Sequence, residues 1–202
     1  EKGRGVPRDY PEAMKWYRKA AEQGYANAQV HLGTMYEKGR GVPRDYPEAM
    51  KWYRKAAEQG YANAQVHLGT MYEKGRGVPR DYPEAMKWYR KAAEQGHANV
   101  QITLGNMYEQ GRGVPKDYAE AVKWYRKSAE QGHPPAQVAL GTMYEKGRGV
   151  PKDYIAAYMW YNLTPRNVNA KKSKGIISQK MTREQIAEAQ KLSREWLAKR
   201  SK

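Results

Sequence analysis

The chain has 202 residues, a net charge of +16 and no cysteine, and it is 40% hydrophobic and 29% charged. That balance fits a folded chain rather than a disordered one, and the missing cysteine excludes disulfides, thiolate catalysis and cysteine-ligated metals. No apolar run approaches the roughly 18 residues of a membrane-spanning helix.

The sequence repeats itself every 36 residues: residues 1–36 and 37–72 are identical. Residues 73–108 depart from them at positions that include His97, Val100, Ile102, Thr103 and Asn106. Residues 109–144 are a looser copy, and a fifth copy starts at Glu145 and departs after Tyr161. The chain opens with Glu1-Lys2-Gly3, partway through a repeat. We therefore expect the natural N-terminus to lie outside this sequence, which leaves export and compartment open.

The first predicted helix runs from Asp9 towards Gly24. Asp9 suits an N-cap, and Glu12 three residues on makes a capping-box pattern. Pro11 falls in the first turn, where a missing N–H costs nothing, and Gly24 is placed to end the helix. Ala13, Tyr17, Ala20 and Ala21 form one apolar stripe. A second helix is predicted from about Asn27 to Glu37, with Ala28, Leu32, Met35 and Tyr36 on one face. Gly33 inside it costs about 1 kcal/mol relative to alanine. Its recurrence as Gly69, Gly105 and Gly141 predicts a neighbour too close to admit a side chain. The following Gly39-Arg40-Gly41-Val42-Pro43-Arg44 is a turn in which Val42 is an apolar anchor. Neither helix buries its stripe alone, so stacked copies must share a quasi-linear core.

The pattern Ala28, Leu32-Gly33, Met35-Tyr36, Gly39, Gly41-Val42, Asp45-Tyr46, Ala49, Trp52-Tyr53 and Lys55-Ala56-Ala57-Glu58-Gln59-Gly60 resembles the Sel1-like repeat (SLR) family, a largely bacterial relative of tetratricopeptide repeats. It differs from the plain tetratricopeptide form, whose period is about 34. The resemblance implies an all-α fold, a right-handed α/α superhelix (solenoid) of helix-turn-helix units. Tandem repeats are expected over residues 1–161, with a divergent last repeat and a C-terminal capping helix over 162–202. The tail resembles the closing segment of bacterial members. Tyr158-Met159-Trp160-Tyr161-Asn162-Leu163 replaces the usual helix ending. Thr182 and Gln185 form a capping box for a helix that runs to about Lys199, with Ile186, Ala189, Gln190, Trp196 and Leu197 as its packing residues. Residues 164–175 match the family less well and are given no structure.

Catalytic chemistry finds little support. His31, His67, His97 and His133 lack the spacing zinc requires and read as surface or interhelix contacts. Asp9, Glu12, Glu22 and Glu37 recur in the repeats, whereas a catalytic pair is expected once. Gly-Arg-Gly-Val-Pro-Arg lacks the third glycine and the lysine-serine ending of a phosphate loop. Asn162-Leu163-Thr164 is a nominal glycosylation triplet followed by Pro165. Cysteine-rich members of the family have been linked to β-lactams, but this chain has neither cysteine nor an S-x-x-K motif. No metal and no cofactor is expected.

The resemblance instead implies a partner-binding concave groove lined by the Leu-Gly helices. Tetratricopeptide groove positions carried over residue by residue give Asn27, Val30, Thr34, Glu37 and Lys38, then Asn63, Val66, Thr70, Glu73 and Lys74. Asn99, Ile102, Asn106, Glu109 and Gln110 follow, and lastly Pro135, Val138, Thr142, Glu145 and Lys146. The function so implied is a non-catalytic scaffold for another protein or a peptide. The alternative is nucleic-acid binding, motivated by charge and by interleaved aromatics. Residues 1–144 carry 23 basic and 16 acidic side chains, and residues 145–202 carry 14 and 5. Lys15, Arg18 and Lys19 make a basic stripe beside the recurring tryptophan-tyrosine pairs. Those pairs read as interhelix packing rather than as a base-stacking platform, and no position varies between repeats as a base-reading code would.

Overall fold

A computed structural model describes residues 9–200, and among these all regular structure is helical. The chain divides into two compact units, Glu1–Gly96 and His97–Lys202. In the first lie α1 (Tyr10–Glu22), α2 (Ala26–Lys38), α3 (Tyr46–Glu58), α4 (Ala62–Lys74) and α5 (Tyr82–Glu94). The second holds α6 (Ala98–Gln110), α7 (Tyr118–Glu130), α8 (Pro134–Lys146), α9 (Tyr154–Asn162), α10 (Val168–Ser178) and α11 (Arg183–Arg200). Helices α1 to α5 pack in succession, as do α6 to α9, and the short turns between them make those neighbours antiparallel.

Local chemistry sets the helix ends. Asp45 Oδ1 accepts the Glu48 N–H at 2.9 Å, and Asp9, Asp81 and Asp117 cap their helices in the same way. The capping box is only half formed. The Glu48 carboxylate turns away from the cap and accepts Trp52 Nε1–H at 2.9 Å and Lys51 Nζ at 3.3 Å. Each glycine after a Leu-Gly helix adopts the left-handed conformation, Gly39 with φ 65°, as an αL stop requires. Gly41, also left-handed at φ 74°, carries the turn across the start of α1. A Cβ there would sit 2.8 Å from the Tyr10 carbonyl carbon. Val42 packs beneath the loop as expected.

The expected stripe is complete in α3, where Ala49, Tyr53, Ala56 and Ala57 are all buried. In the identical α1, Ala21 is buried and Ala13, Tyr17 and Ala20 are half-buried. Trp52 is 3% exposed and Trp16 62%, so one sequence is covered to two extents by its neighbours. The Leu-Gly glycines do mark a close approach. A Cβ on Gly33 would lie 2.8 Å from the Tyr53 ring, and on Gly69 2.5 Å from that of Tyr89.

In the second unit α9 is short, and two further helices pack against it. Residues 164–175, unassigned from the sequence, contribute to α10, whose N-cap Asn167 accepts the Ala170 N–H at 3.0 Å. The capping box of α11 is reciprocal: Thr182 N–H donates to Gln185 Oε1 at 2.9 Å and Gln185 N–H to Thr182 Oγ1 at 3.3 Å. Trp196 of α11 meets Trp160 of α9 edge to face at 6.1 Å. At the far end of α11 the Arg200 guanidinium donates to the carbonyls of Glu130 and Gln131, the latter at 2.8 Å, and so satisfies the open end of α7.

Candidate functional site

Four tyrosines organise the face on which the carried-over positions lie. In the first unit Tyr53 of α3 reaches across to α2. Its hydroxyl donates to Glu37 Oε2 at 2.8 Å and lies 3.0 Å from Thr34 Oγ1. Glu37 Oε1 accepts Arg76 Nη1 at 3.1 Å from the next glycine-arginine turn. His67 stacks flat on the Tyr53 ring at 4.3 Å. Tyr89 repeats the rung with Glu73 at 2.7 Å and Thr70 at 3.1 Å. In the second unit Tyr125 donates to Glu109 and contacts Asn106 Oδ1, both at 2.7 Å. Tyr161 does so to Glu145 at 2.6 Å, with Thr142 at 3.1 Å.

Burial holds these phenols above their ordinary pKa, and the neighbouring carboxylates at Glu37, Glu73, Glu109 and Glu145 add to the effect. The tyrosines are therefore neutral donors. Burial likewise lowers the pKa of His67, with the Glu37 charge opposing it.

The carried-over positions thus fall into two groups. Thr34, Glu37, Thr70, Glu73, Asn106, Glu109, Thr142 and Glu145 take part in the rungs. Asn27 and Asn99 are also engaged. Asn27 accepts the Tyr61 hydroxyl, and Asn99 Oδ1 lies 2.5 Å from His133 Nε2. Lys38, Asn63, Lys74, Gln110, Pro135 and Lys146 are exposed, and Val30, Val66, Ile102 and Val138 are half-buried, Val30 and Val138 resting against the core. Sequence reasoning placed the tyrosines in the core and missed their hydroxyls as the element that ties this face together. The signal was present: the chain has 17 tyrosines and no phenylalanine, and a buried hydroxyl needs a partner.

The basic stripe is largely engaged within the fold. Lys15 pairs with Glu12 at 3.0 Å. Arg18 donates to the Tyr36 hydroxyl, and Lys19 lies 4.8 Å over the Trp16 ring. Lys55, Lys91 and Lys127 cover Trp52, Trp88 and Trp124 at 4.6, 4.7 and 4.5 Å. Those three indoles are also buried, so their faces are closed to stacking bases. The glycine-arginine turns spend their amides internally: Arg40 N–H donates to Met35 O and Asp45 N–H to Tyr36 O, both at 2.9 Å.

A cleft of about 490 Å³ in the first unit is lined by Asp9, Tyr10, Ala13, Tyr17, His31, Thr34, Met35 and Arg40. Asp9 caps α1 through Oδ1 and His31 stacks on Tyr17 at 4.8 Å. Among the described residues no group of three or more histidine, aspartate or glutamate side chains could hold a metal, and no helix is long and apolar enough to cross a membrane.

Helix pairs of fixed length, locked to their neighbours by the same glycine and tyrosine in repeat after repeat, define a helical-repeat protein. The chain belongs to the Sel1 repeat family, whose model matches residues 1–25, 26–61, 62–97, 99–133 and 134–163. Among solved structures it is similar to c5321, a protective antigen of uropathogenic Escherichia coli strains displaying an SLR fold. The identity is 40% and the TM-score 0.85, over 98% of this chain and 43% of that one. It is similar also to a Sel1 repeat protein from Oxalobacter formigenes, at 37% identity and a TM-score of 0.78, over 88% of this chain and 52% of the other. Cysteine-rich protein B of Helicobacter pylori is more distant, at 27% identity and a TM-score of 0.51, with 66% and 97% covered. This chain spans about half the length or less of the first two. No curated protein matches it. Sel1 repeat proteins generally mediate protein–protein interaction, and the family is typically a non-catalytic scaffold fold.

Proposed function

We propose that the chain is a non-catalytic scaffold that holds a protein or peptide partner against the outward residues of its Leu-Gly helices. In the first unit these are Val30, Lys38, Asn63, Val66 and Lys74. In the second they are Ile102, Gln110, Val138 and Lys146. The observation that carries this reading is the division of labour on α2, α4, α6 and α8. Each uses its threonine or asparagine and its glutamate to fix the neighbouring repeat, and each leaves a long polar side chain exposed beside a half-buried aliphatic one. Such a face supplies apolar contact flanked by groups that set register, as recognition of a helix or an extended peptide requires.

The test is site-specific photocrosslinking of the complete native protein in its own cells. The crosslinker is placed at Lys38 or Lys74 and, as the comparison, at Lys51 or Lys87 on the first helices. The reading expects one protein joined through the first two positions and not through the second two. Equal crosslinking from both sets would remove the face from consideration.

A further inference from the structure

The outer face of α10 differs from the faces of the repeat helices. Ala170 and Ile177 of this helix are buried against α9 and its surroundings, and Lys174 donates to Asn162 Oδ1 at 2.9 Å on the same side. The opposite side presents Val168, Lys171, Lys172, Gly175 and Ile176, all exposed. Val168 is 78% exposed and Ile176 45%. They stand on one row, two turns apart, with Lys172 between them.

Two independent features make this more than a stray apolar pair. The first is charge. From Tyr154 to Arg183 there are six basic side chains and no acidic one, so the lysines of α10 have no glutamate on their own helix of the kind that pairs with Lys15, Lys51 and Lys87. The second is Gly175. A glycine in a helix interior is unfavourable. At Gly33, Gly69, Gly105 and Gly141 the cause is visible, because a tyrosine ring lies 2.4 to 2.8 Å from where a Cβ would be. At Gly175 a Cβ would meet nothing within 4 Å. Nothing within the fold requires that glycine, yet it sits between the lysines and Ile176 on the open side.

We propose that this face docks an acidic amphipathic helix of a partner protein, with Gly175 at the closest point of approach. Small residues let helix axes come together. Val168 and Ile176 bracket the crossing, and Lys171 and Lys172 meet carboxylates at its edge, where complementary charge sets register and on-rate. A lipid surface fits less well: the face offers two aliphatic residues of moderate size, without the aromatic and leucine residues of interfacial helices, and a bilayer gains nothing from a glycine. The surface lies on α10 alone and stands or falls independently of the Leu-Gly helix face.

The intact protein is titrated with a fluorescein-labelled helical peptide of about 20 residues, long enough to hold a helix alone. It is built of alanine and glutamate with two leucines on one face. The expected result is saturable binding that weakens by about fivefold or more in Lys171→Glu/Lys172→Glu and also weakens in Gly175→Ala, although Gly175→Ala raises the thermal midpoint. A peptide with lysine in place of glutamate does not bind. Mixed phosphatidylserine–phosphatidylcholine vesicles and duplex DNA bind more weakly and are indifferent to Gly175→Ala. Three results would each overturn the proposal: unchanged peptide affinity in a stabilised Gly175→Ala protein, equal binding of the acidic and basic peptides, or tighter binding of vesicles or DNA through the same residues.

Discussion

Tyr125 shows how one side chain does three things in a repeat. Its ring fills the space left by the missing Cβ of Gly105, its body is fully buried, and its hydroxyl holds Glu109 and Asn106. In Gly105→Ala the added methyl would lie 2.4 Å from the Tyr125 ring. Overpacking of that kind costs about 1–3 kcal/mol, more than the roughly 1 kcal/mol of helix propensity gained. The variant should therefore unfold at lower urea concentration than the parent, and a stabilised protein would show that the ring moves aside freely. The phenols also predict alkaline behaviour. Tyr53, Tyr89, Tyr125 and Tyr161 have raised pKa values in the fold, mainly through burial. Their contribution to stability is complete below the ordinary tyrosine pKa of about 10 and is lost as pH rises above it. Absorbance at 295 nm should show these four ionising only as the helical circular-dichroism signal is lost. The glycine periodicity foretold close packing, but it could not name the ring that does the packing. The same limit applies at Thr34 and Glu37: the tetratricopeptide positions carried over to them do not show that the Tyr53 hydroxyl holds both.

The helices were legible where punctuation was strong. Asp9 and Gly39 bracket their elements as expected, and the Thr182–Gln185 box opens α11. The half-formed box at Glu48 was not foreseeable, because the competing donor, Trp52 Nε1–H, lies one turn on in the same helix and its reach depends on rotamers. The helix α10 escaped notice for a physical reason: among its 11 residues only Ala170 and Ile177 are buried, too few to print a period on the sequence. Its cap, Asn167, was readable only afterwards. Besides its packing on α9, α11 places Arg200 on the carbonyls that end α7. A charged donor on otherwise open carbonyls contributes about 1.5–3 kcal/mol when well placed and less at an exposed helix end. Arg200→Ala should lower the thermal midpoint and speed amide exchange in the last turn of α7 while leaving that of α6 as it is. Identical exchange in both helices before and after would mean that α11 does not brace this end.

At the scale of the molecule, a chain with a net charge of +16 invites a nucleic-acid reading; the fold leaves that net charge in place but gives many of the cations local partners. Lysines sit over buried tryptophans or pair with glutamates one turn away, and arginines bind tyrosine hydroxyls, as Arg54 does to Tyr72 at 2.6 Å. Repetition makes the stability of such a protein roughly the sum of its units and the interfaces between neighbours. Variants that break a rung and variants that trim the outward face should therefore be separable. That separation is the most direct test of the account. Lys38→Ala/Asn63→Ala/Lys74→Ala and, in parallel, Tyr125→Phe are compared for urea stability and for capture of the partner that crosslinks through Lys38. The account predicts that Tyr125→Phe loses about 1–3 kcal/mol and still captures the partner when folded, whereas the outward variant keeps most of its stability and loses capture. Retained capture by a folded outward variant would contradict it.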